Sequence, residues 1–467
     1  ISLQAENSGI LVQLDVDSNL KKKHKYAEEI NIAKKVGDPV LVPPEGYEFL
    51  GWVTVSGENP LDAEDNLNRL LKDITFNVVR FDPASSIGKT QRRNRFSTAS
   101  LNKDLLMGAA KIESIKRMPI KDLRKLHIGI ACNIFDGKDG LVEQDLMTVG
   151  KNIEQTLLKL GYKVSYFDFN NVSKAFNDLR KSDVGLVFNV CERINNSSLL
   201  EPHAASILDT LQIPYTGSNP FTLGLCIDKI RVKKLLTYHN IPTAKWDYAY
   251  SMDDEIRNDL QYPLIVKPAN TDNSIGITNE SVVTNKKDLK KQMEKVIKKF
   301  KRPALIEEYI EGDEYDVSIL GDDEIDLRVL PLSRSIFDKM PKNKWHIYTF
   351  DMKFGSATPQ NQGIEVQRPA KGISKKLEAL ISEIALDTYN ILDCHDYGRV
   401  EIKVDNNNNP YVLELNPNPS INIGDCVPNV AKLVGMDYGD FLEEIIKMAV
   451  NRYKNKPPYY HLQGNLM

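Results

Sequence analysis

A predicted β-hairpin within residues 398–417 most constrains this sequence, because its polar side chains share one face. Glu414 and Asn416 lie two residues apart on the second strand, and Glu401 lies across an Asn-rich turn. Two carboxylates and a carboxamide beside Arg399 suit Mg2+ that carries phosphates, since Mg2+ prefers oxygen ligands and keeps substrate oxygens in its shell. The alternative is a solvated hairpin with scattered charges, which the apolar residues between these side chains disfavour.

The loop that follows this hairpin, residues 417–425, is also suited to chemistry. Its prolines restrict the backbone, and Ser420 lies between them and the end of the loop. Backbone N–H groups held in such a loop can face a reacting carbonyl group. We therefore expect Ser420 to lie at the catalytic end of the site.

The composition excludes several classes of protein. The 467 residues are enough for about two to four domains, and a hydrophobic content of 41% suffices for their cores. A net charge of −3 gives no broad electrostatic case for nucleic acid, and no apolar stretch of the sequence is long enough to span a membrane, so neither is expected as a partner. The five cysteines are far apart and form no CxxC pair, which indicates a reducing cytoplasm rather than zinc or disulfides.

The first 225 residues divide into three segments. Residues 1–85 have the pattern of an α+β lobe, and residues 86–124 form a polar, basic linker. From residue 125 to 225, apolar strands alternate with amphipathic helices, which is typical of a parallel, doubly wound α/β domain. Because the chain starts at Ile1 without a signal-peptide pattern, we expect it to be a fragment or one processed part of a larger polypeptide.

Three further stretches carry side chains that suit a nucleotide. Lys267 ends an apolar strand and precedes a small polar loop whose N–H groups can wrap phosphates, although an edge-strand lysine is the alternative. Backbone acceptors at Glu307 and Glu308 can hydrogen-bond an adenine amino group, and Glu314 can accept hydrogen bonds from ribose hydroxyls. The alternative is that residues 304–320 form an acidic hairpin. Lys353 follows a polar loop and belongs either to a lid over the site or to a surface hairpin. The phosphate-loop pattern GxxxxGK[ST] is absent here.

These stretches occur in an order that resembles the ATP-grasp superfamily and, within it, the D-alanine–D-alanine ligase group. The resemblance covers residues 126–452. In chain order the motifs are Tyr215-Thr-Gly-Ser, Asp228-Lys229, Val266-Lys267-Pro268, Glu307-Glu308-Tyr309-Ile310-Glu311-Gly312, Lys353, Arg399-Val-Glu401 and Leu413-Glu414-Leu415-Asn416-Pro417. The resemblance implies a combined α/β and α+β fold, in which a pre-ATP-grasp domain (125–225) lies beside a central lobe (226–310) and a C-terminal lobe with the Mg2+ site (311–452). A tail, 453–467, follows.

The resemblance also implies a role for each candidate residue. ATP phosphates would be bound by Lys229, Lys267 and the loop residues Asn273 and Ser274. Adenine and ribose would be bound by Glu307, Glu308, Tyr309, Ile310 and Glu314. Two Mg2+ ions, with Mn2+ as a substitute, would be held by Glu401, Glu414 and Asn416. Catalysis would use Lys353 at the γ-phosphate, Arg399 at the developing negative charge, and Ser420.

The implied reaction is ATP-dependent joining of a small-molecule carboxylate to an amine through an acylphosphate. Members of this family are often dimers, so a homodimer is an expectation. A true D-alanine–D-alanine ligase and a non-catalytic ATP-binding regulatory subunit are the alternatives. A phosphotransferase that releases a stable phosphorylated product is a further one.

Departures from the family pattern lie mainly around the second substrate. The family's Ser in the phosphate loop and its lid Tyr correspond here to Asn273 and Phe354. Cys191-Glu192-Arg193 replaces a His-Gly signature, and residues 133–140 lack the usual acid and Ser pair. The Ser that would receive the acceptor's carboxylate corresponds to Asp425, which would repel a carboxylate. We therefore expect an altered acceptor site, for an amine that lacks a nearby carboxylate or carries a cation.

Residues 51–67 resemble the closing segment found at the C-terminal end of some other ATP-grasp proteins, such as biotin carboxylase. One interpretation is that residues 1–85 are the tail of an upstream ATP-grasp module, followed by a complete second module. The other interpretation is that residues 1–85 are an accessory lobe that does not derive from an upstream module.

Overall fold

The computed structural model describes residues 1–42, 47–80, 111–112, 114–134, 141–271, 274–322, 327–354, 358 and 362–455, without the side chains of residues 80, 141–145, 353, 354 and 455. The chain separates into two compact units that divide between residues 106 and 107. The predicted limits of the six segments stay predictions. No helix in the described part of the chain is long and apolar enough to cross a membrane.

The first unit is built from short strands and two helices in its described residues. Its elements are β1 (Ser2–Leu3), β2 (Gly9–Val16), α1 (Leu20–Lys23), β3 (Ala27–Ile32), β4 (Pro39–Val40), β5 (Gly51–Val55), α2 (Pro60–Leu71) and β6 (Ile74–Arg80). They form antiparallel sheets with the orders β1-β5-β3 and β4-β2-β6. Asn59 caps α2 by accepting the N–H groups of Leu61 and Asp62, and Pro60 begins the helix where no N–H is needed. The predicted α+β lobe is confirmed.

The second unit begins with parallel strands that alternate with helices. Its first elements are β7 (His127–Cys132), α3 (Leu141–Lys159), β8 (Lys163–Asp168), α4 (Val172–Lys181), β9 (Leu186–Asn189), α5 (Pro202–Thr210), α6 (Pro220–Cys226) and α7 (Lys229–Tyr238). The strand order is β8-β7-β9, and both pairings are parallel. Gly161 follows α3 with φ of 91°, a conformation that favours glycine at helix ends. This alternation confirms the predicted α/β fold class.

Two antiparallel sheets complete the second unit. Their strands and the neighbouring helices are β10 (Trp246–Ala249), β11 (Leu264–Pro268), β12 (Val282–Val283), α8 (Lys286–Glu294), β13 (Ala304–Glu308), β14 (Gly312–Leu320), β15 (Arg328–Val329), β16 (Ser333–Ile336), α9 (Phe350–Phe354), β17 (Glu365–Gln367), α10 (Lys375–Ile391), β18 (Tyr397–Asp405), β19 (Pro410–Asn416), α11 (Cys426–Leu433) and α12 (Tyr438–Asn455). The smaller sheet has the order β10-β13-β11-β12. The larger has the order β17-β16-β14-β18-β19, with β15 beside β14.

Consecutive strands β13 and β14 belong to different sheets. β13 pairs with β10 and β11, whereas β14 pairs with β15, β16 and β18. The alternative of an acidic hairpin over residues 304–320 is therefore wrong, and the chain crosses between the sheets after Glu308. The alternative of a surface hairpin at Lys353 is also wrong, because this residue lies in the short helix α9.

The position of β18 inside the larger sheet determines which side chains face the pocket. Val400 and Ile402 are fully buried in a core that also contains Ile381 of α10. Burying each such side chain contributes about 1.5–3 kcal/mol. Because successive strand residues point to opposite faces, this burial directs Glu401 and Lys403 to the other face. The solvated-hairpin alternative is therefore wrong.

Candidate active site

The hairpin formed by β18 and β19 carries its polar residues in register. Glu401 lies opposite Glu414, and Arg399 lies opposite Asn416. A β-bulge between Glu401 and Ile402 shifts the pairing at that point. The predicted hairpin is confirmed, and it brings the two carboxylates and the carboxamide to neighbouring positions.

Ion pairs connect this face to the adjacent elements. Arg399 Nη2 lies 2.5 Å from Glu401 Oε1, and Arg399 Nε lies 3.3 Å from Asp316 Oδ1 on β14. Burial would lower the pKa of Arg399, but Glu401 and Asp316 raise it above its usual value. Glu414 Oε2 lies 2.6 Å from Lys229 Nζ at the start of α7. The carboxylates of Glu401 and Glu414 are thus each paired with a cation in this structure.

The donor set on this face matches the preference of Mg2+ for oxygen ligands. Glu401 and Glu414 offer carboxylates, and Asn416 offers a carboxamide whose Oδ1 accepts the N–H of Asn418 at 3.0 Å. No group of three or more His, Cys, Asp or Glu side chains suited to a metal occurs among the described residues. The set present here is instead two acids and one amide.

A pocket lies between the two antiparallel sheets. The predicted residues that line it are Lys229, Lys267, Ser274, Glu307, Glu308, Tyr309, Ile310, Glu314, Glu401 and Glu414. Its apolar lining, which can receive a flat base, comes from Ala244, Ile265, Ile277, Ile347 and Leu413. Arg399, Asn416 and Ser420 do not line it. Asn273 lies outside the described residues, and the side chains of Lys353 and Phe354 are not described.

The carboxylate of Glu307 points at two lysines, and the predicted place of this residue at adenine stays a prediction. The side chain is 1% exposed, and its Oε2 lies 2.9 Å from Lys267 Nζ while its Oε1 pairs with Lys233. Burial would raise the pKa of Glu307, but the two lysines lower it to about 2. Sequence reasoning missed Lys233, although it lies four residues after Lys229 and therefore on the same face of α7.

Lys403 is a second buried lysine that sequence reasoning missed. It lines the pocket and lies directly opposite Glu314 in the pairing of β18 with β14. Its side chain is 4% exposed, and Nζ lies 3.7 Å from Glu314 Oε2. The signal was the period-two spacing of Arg399, Glu401 and Lys403, which places all three on one face of the strand.

The far end of the polar face is formed by the loop after β19. Ser420 Oγ donates to Asp425 Oδ2 at 2.5 Å, and the N–H of Asn422 donates to the same oxygen at 3.1 Å. Asp425 precedes α11 as its N-cap residue, where the helix dipole favours a negative charge. Cys426 Sγ lies 3.8 Å from Asp316 Oδ2, which joins this loop to the partner of Arg399.

Comparisons with known proteins give a match in each unit. Residues 234–447 match the family model described as D-ala D-ala ligase C-terminus, and residues 2–79 match L-amino acid ligase C-terminal domain 2. The D-alanine–D-alanine ligase of Carboxydothermus hydrogenoformans is 30% identical over 337 residues, 70% of this chain and 98% of that protein. An uncharacterized protein of Sinorhizobium fredii is 30% identical over 269 residues, 58% of this chain and 76% of that protein.

The solved structures agree on the fold. The crystal structure of D-alanine–D-alanine ligase from Bacillus anthracis in complex with ATP aligns with a TM-score of 0.56 at 23% identity, over 71% of this chain and 99% of that one. Together with these relatives, the fold defines an ATP-grasp enzyme, an ATP-dependent ligase that forms C–N bonds. The chain belongs to the D-alanine–D-alanine ligase family.

Proposed function

We propose that this protein is an ATP- and Mg2+-dependent carboxylate–amine ligase that works through an acylphosphate and has an altered acceptor site. A carboxylate is a poor electrophile, because an attacking amine would have to expel oxide. Transfer of the γ-phosphoryl group of ATP to the carboxylate gives ADP and an acylphosphate. The amine then attacks the carbonyl carbon, loses a proton and expels phosphate as the amide forms. Such a sequence needs positioning and charge neutralisation above all.

The nucleotide half of the site carries the proposed contacts to ATP. Its phosphates are bound by Lys229, Lys267, Asn273 and Ser274. Its adenine and ribose are bound by Glu307, Glu308, Tyr309, Ile310 and Glu314. The carboxylate of Glu307 also positions Lys267. The ion pair of Lys267 with Glu307 supports this division, because it holds the ammonium group at the pocket wall.

The reacting half of the site carries the metal and the charge that develops. Glu401, Glu414 and Asn416 hold two Mg2+ ions, which Mn2+ can replace. Bound Mg2+ neutralises the phosphate oxygens. Lys353 contacts the γ-phosphate, Arg399 stabilises the negative charge of the tetrahedral species, and Ser420 lies at the loop beside it. The contact between Glu414 and Lys229 supports this arrangement, since it joins a metal ligand to a phosphate-binding lysine.

The acceptor assignment rests on one observation, the carboxylate of Asp425 in the loop after β19. Ser420 Oγ and the N–H of Asn422 both donate to it, so it is fixed and takes up donors that a substrate carboxylate would need. Asp316 lies near Cys426, the residue after Asp425, but it is paired with Arg399. The acid at Asp425 favours an amine that carries a second cation or lacks a carboxylate near its nucleophile.

The test is ADP release with ATP and Mg2+ across carboxylates and amines, alone and in pairs. We expect release only with a carboxylate plus an amine, and Asp425→Ser should raise kcat/KM for acceptors with a carboxylate by about tenfold or more. Asp437→Ser is the matched control, because Asp437 accepts the N–H of Asp440 at the start of α12, outside this loop. Wild-type synthesis of D-alanyl-D-alanine from D-alanine alone would contradict the altered acceptor site.

The first unit has a proposed origin of its own. The match of residues 2–79 to L-amino acid ligase C-terminal domain 2 supports the interpretation that residues 1–85 are the tail of an upstream ATP-grasp module. The five cysteines are all buried free thiols, which supports the proposal that the protein functions in a reducing cytoplasm.

A homodimer stays a prediction, and sedimentation velocity on the full chain tests it.

A further inference from the structure

Lys403 is a buried, charged residue that lines the pocket between the two antiparallel sheets, and the proposed chemistry does not use this residue. Only 3% of the residue is exposed, although an ammonium group is costly to bury unless it is paired. It lies on β18 two residues after the proposed metal ligand Glu401 and faces the same pocket. A lysine retained in such a position needs specific partners.

The partners of Lys403 come from two different elements. Nζ donates to the backbone carbonyl of His346 at 2.6 Å and lies 3.7 Å from Glu314 Oε2. It also lies 4.1 Å from the centre of the Phe337 ring, on which the His346 ring stacks. The His346 ring in turn pairs with Glu311. One ammonium group therefore connects Glu314 on β14 with the segment that precedes α9.

We propose that Lys403 is a positioning residue for the ribose of the nucleotide. Its ammonium group orients the carboxylate of Glu314 toward the ribose hydroxyls. Through the His346 carbonyl it also holds the pocket wall formed by Ile347 and Tyr348. This inference rests on the proposed function, because it takes Glu314 as the ribose-binding residue.

The pairing of the strands gives this role its geometry. Glu314 and Lys403 are directly opposite residues of β14 and β18, so the backbone itself holds their side chains side by side. A carboxylate held by a fixed cation discriminates hydroxyl groups better than a mobile one, because less freedom is lost on binding.

The experiment measures direct binding of ATP and of 2′,3′-dideoxy-ATP by titration calorimetry, so no turnover is needed. The wild-type protein should bind ATP more tightly than the dideoxy nucleotide. Lys403→Met should weaken the binding of ATP by about tenfold, which is the value of one charge-assisted hydrogen bond between Glu314 and a ribose hydroxyl. The affinity for the dideoxy nucleotide should stay nearly unchanged. Lys111→Met is the matched control, since Lys111 is also partly buried and donates to a backbone carbonyl, that of Ser182 at 3.0 Å. It should keep the wild-type ratio of affinities.

Glu314→Gln provides the second variant and separates positioning from packing. If Lys403 acts through Glu314, Glu314→Gln loses the same discrimination and the double variant loses little more. Equal weakening of both nucleotides by Lys403→Met would overturn the inference in favour of a packing role, as would a wild-type protein that binds both nucleotides equally. Failure of the ligase assay with intact ATP discrimination would instead count against the proposed function alone.

Discussion

Substitution of Lys233 by Met tests the buried charge cluster at the pocket wall. Lys233 and Glu307 are each 1% exposed, and Lys233 also donates to Thr243 Oγ1 at 2.5 Å. Methionine preserves most of the side-chain volume, so the loss of charge dominates over any cavity. After the change, Glu307 keeps only Lys267 as a cationic partner.

The pKa of Glu307 gives the direction of the effect. Burial would raise this pKa, but Lys233 and Lys267 together lower it from 4.5 to about 2, so the ionised carboxylate depends on its cationic partners. Breaking a buried ion pair by removing one partner costs about 3–5 kcal/mol in other proteins. We therefore expect Lys233→Met to lower the free energy of unfolding by about 3 kcal/mol.

Equilibrium unfolding in urea measures this change on the full chain. The matched control is Lys234→Met, because Lys234 is exposed and lies over the Tyr248 ring at 4.8 Å; its effect should stay within about 0.5 kcal/mol. The double variant with Glu307→Gln should recover part of the loss, since the uncompensated charge is then gone. A loss for Lys233→Met no larger than that of the control would refute the reasoning.

Two further predictions concern the metal face and the pH dependence of folding. Glu414→Ala should lower ADP formation by about 100-fold or more, whereas Glu444→Ala, which removes ion pairs with Arg328 and Lys447, should not. A coupled ADP assay, with circular dichroism as a folding control, compares the two variants. The stability that Glu307 provides should be fully present above its unfolded pKa of 4.5 and be lost as the pH falls through about 2, because its folded-state pKa is lowered. Urea titrations across that range should show that the difference in the free energy of unfolding between wild type and Glu307→Gln becomes smaller toward low pH. A difference that stays constant with pH would contradict this prediction.

The hairpin could be predicted from sequence because its information is local. The alternation of apolar and polar residues determines which residues share a face of the strand. The Asn-rich turn determines the register, apart from the one-residue shift at the bulge, so Glu401 and Glu414 could be placed across from one another. The parallel sheet was equally accessible, since short apolar strands alternate with amphipathic helices. The order of motifs along the chain then indicated the family.

What could not be predicted depends on contacts between distant segments. Nothing in residues 304–320 specifies that β13 and β14 join different sheets, because strand pattern does not encode strand partner. The burial of Glu307 between Lys233 and Lys267 requires α7 to pack beside the smaller sheet. The helical spacing of Lys233 from Lys229 was the available signal, but the burial of its ammonium group becomes evident only in the folded chain.

In the proposed mechanism an acylphosphate links the cleavage of ATP to the formation of the amide. Once the substrate pair is identified, the carboxylate is labelled with 18O, and phosphate and product are analysed by mass spectrometry. The mechanism predicts one 18O atom in each inorganic phosphate released, with ADP, phosphate and amide formed in equal amounts. Unlabelled phosphate, or label retained in a stable phosphorylated product without an amide, would contradict it.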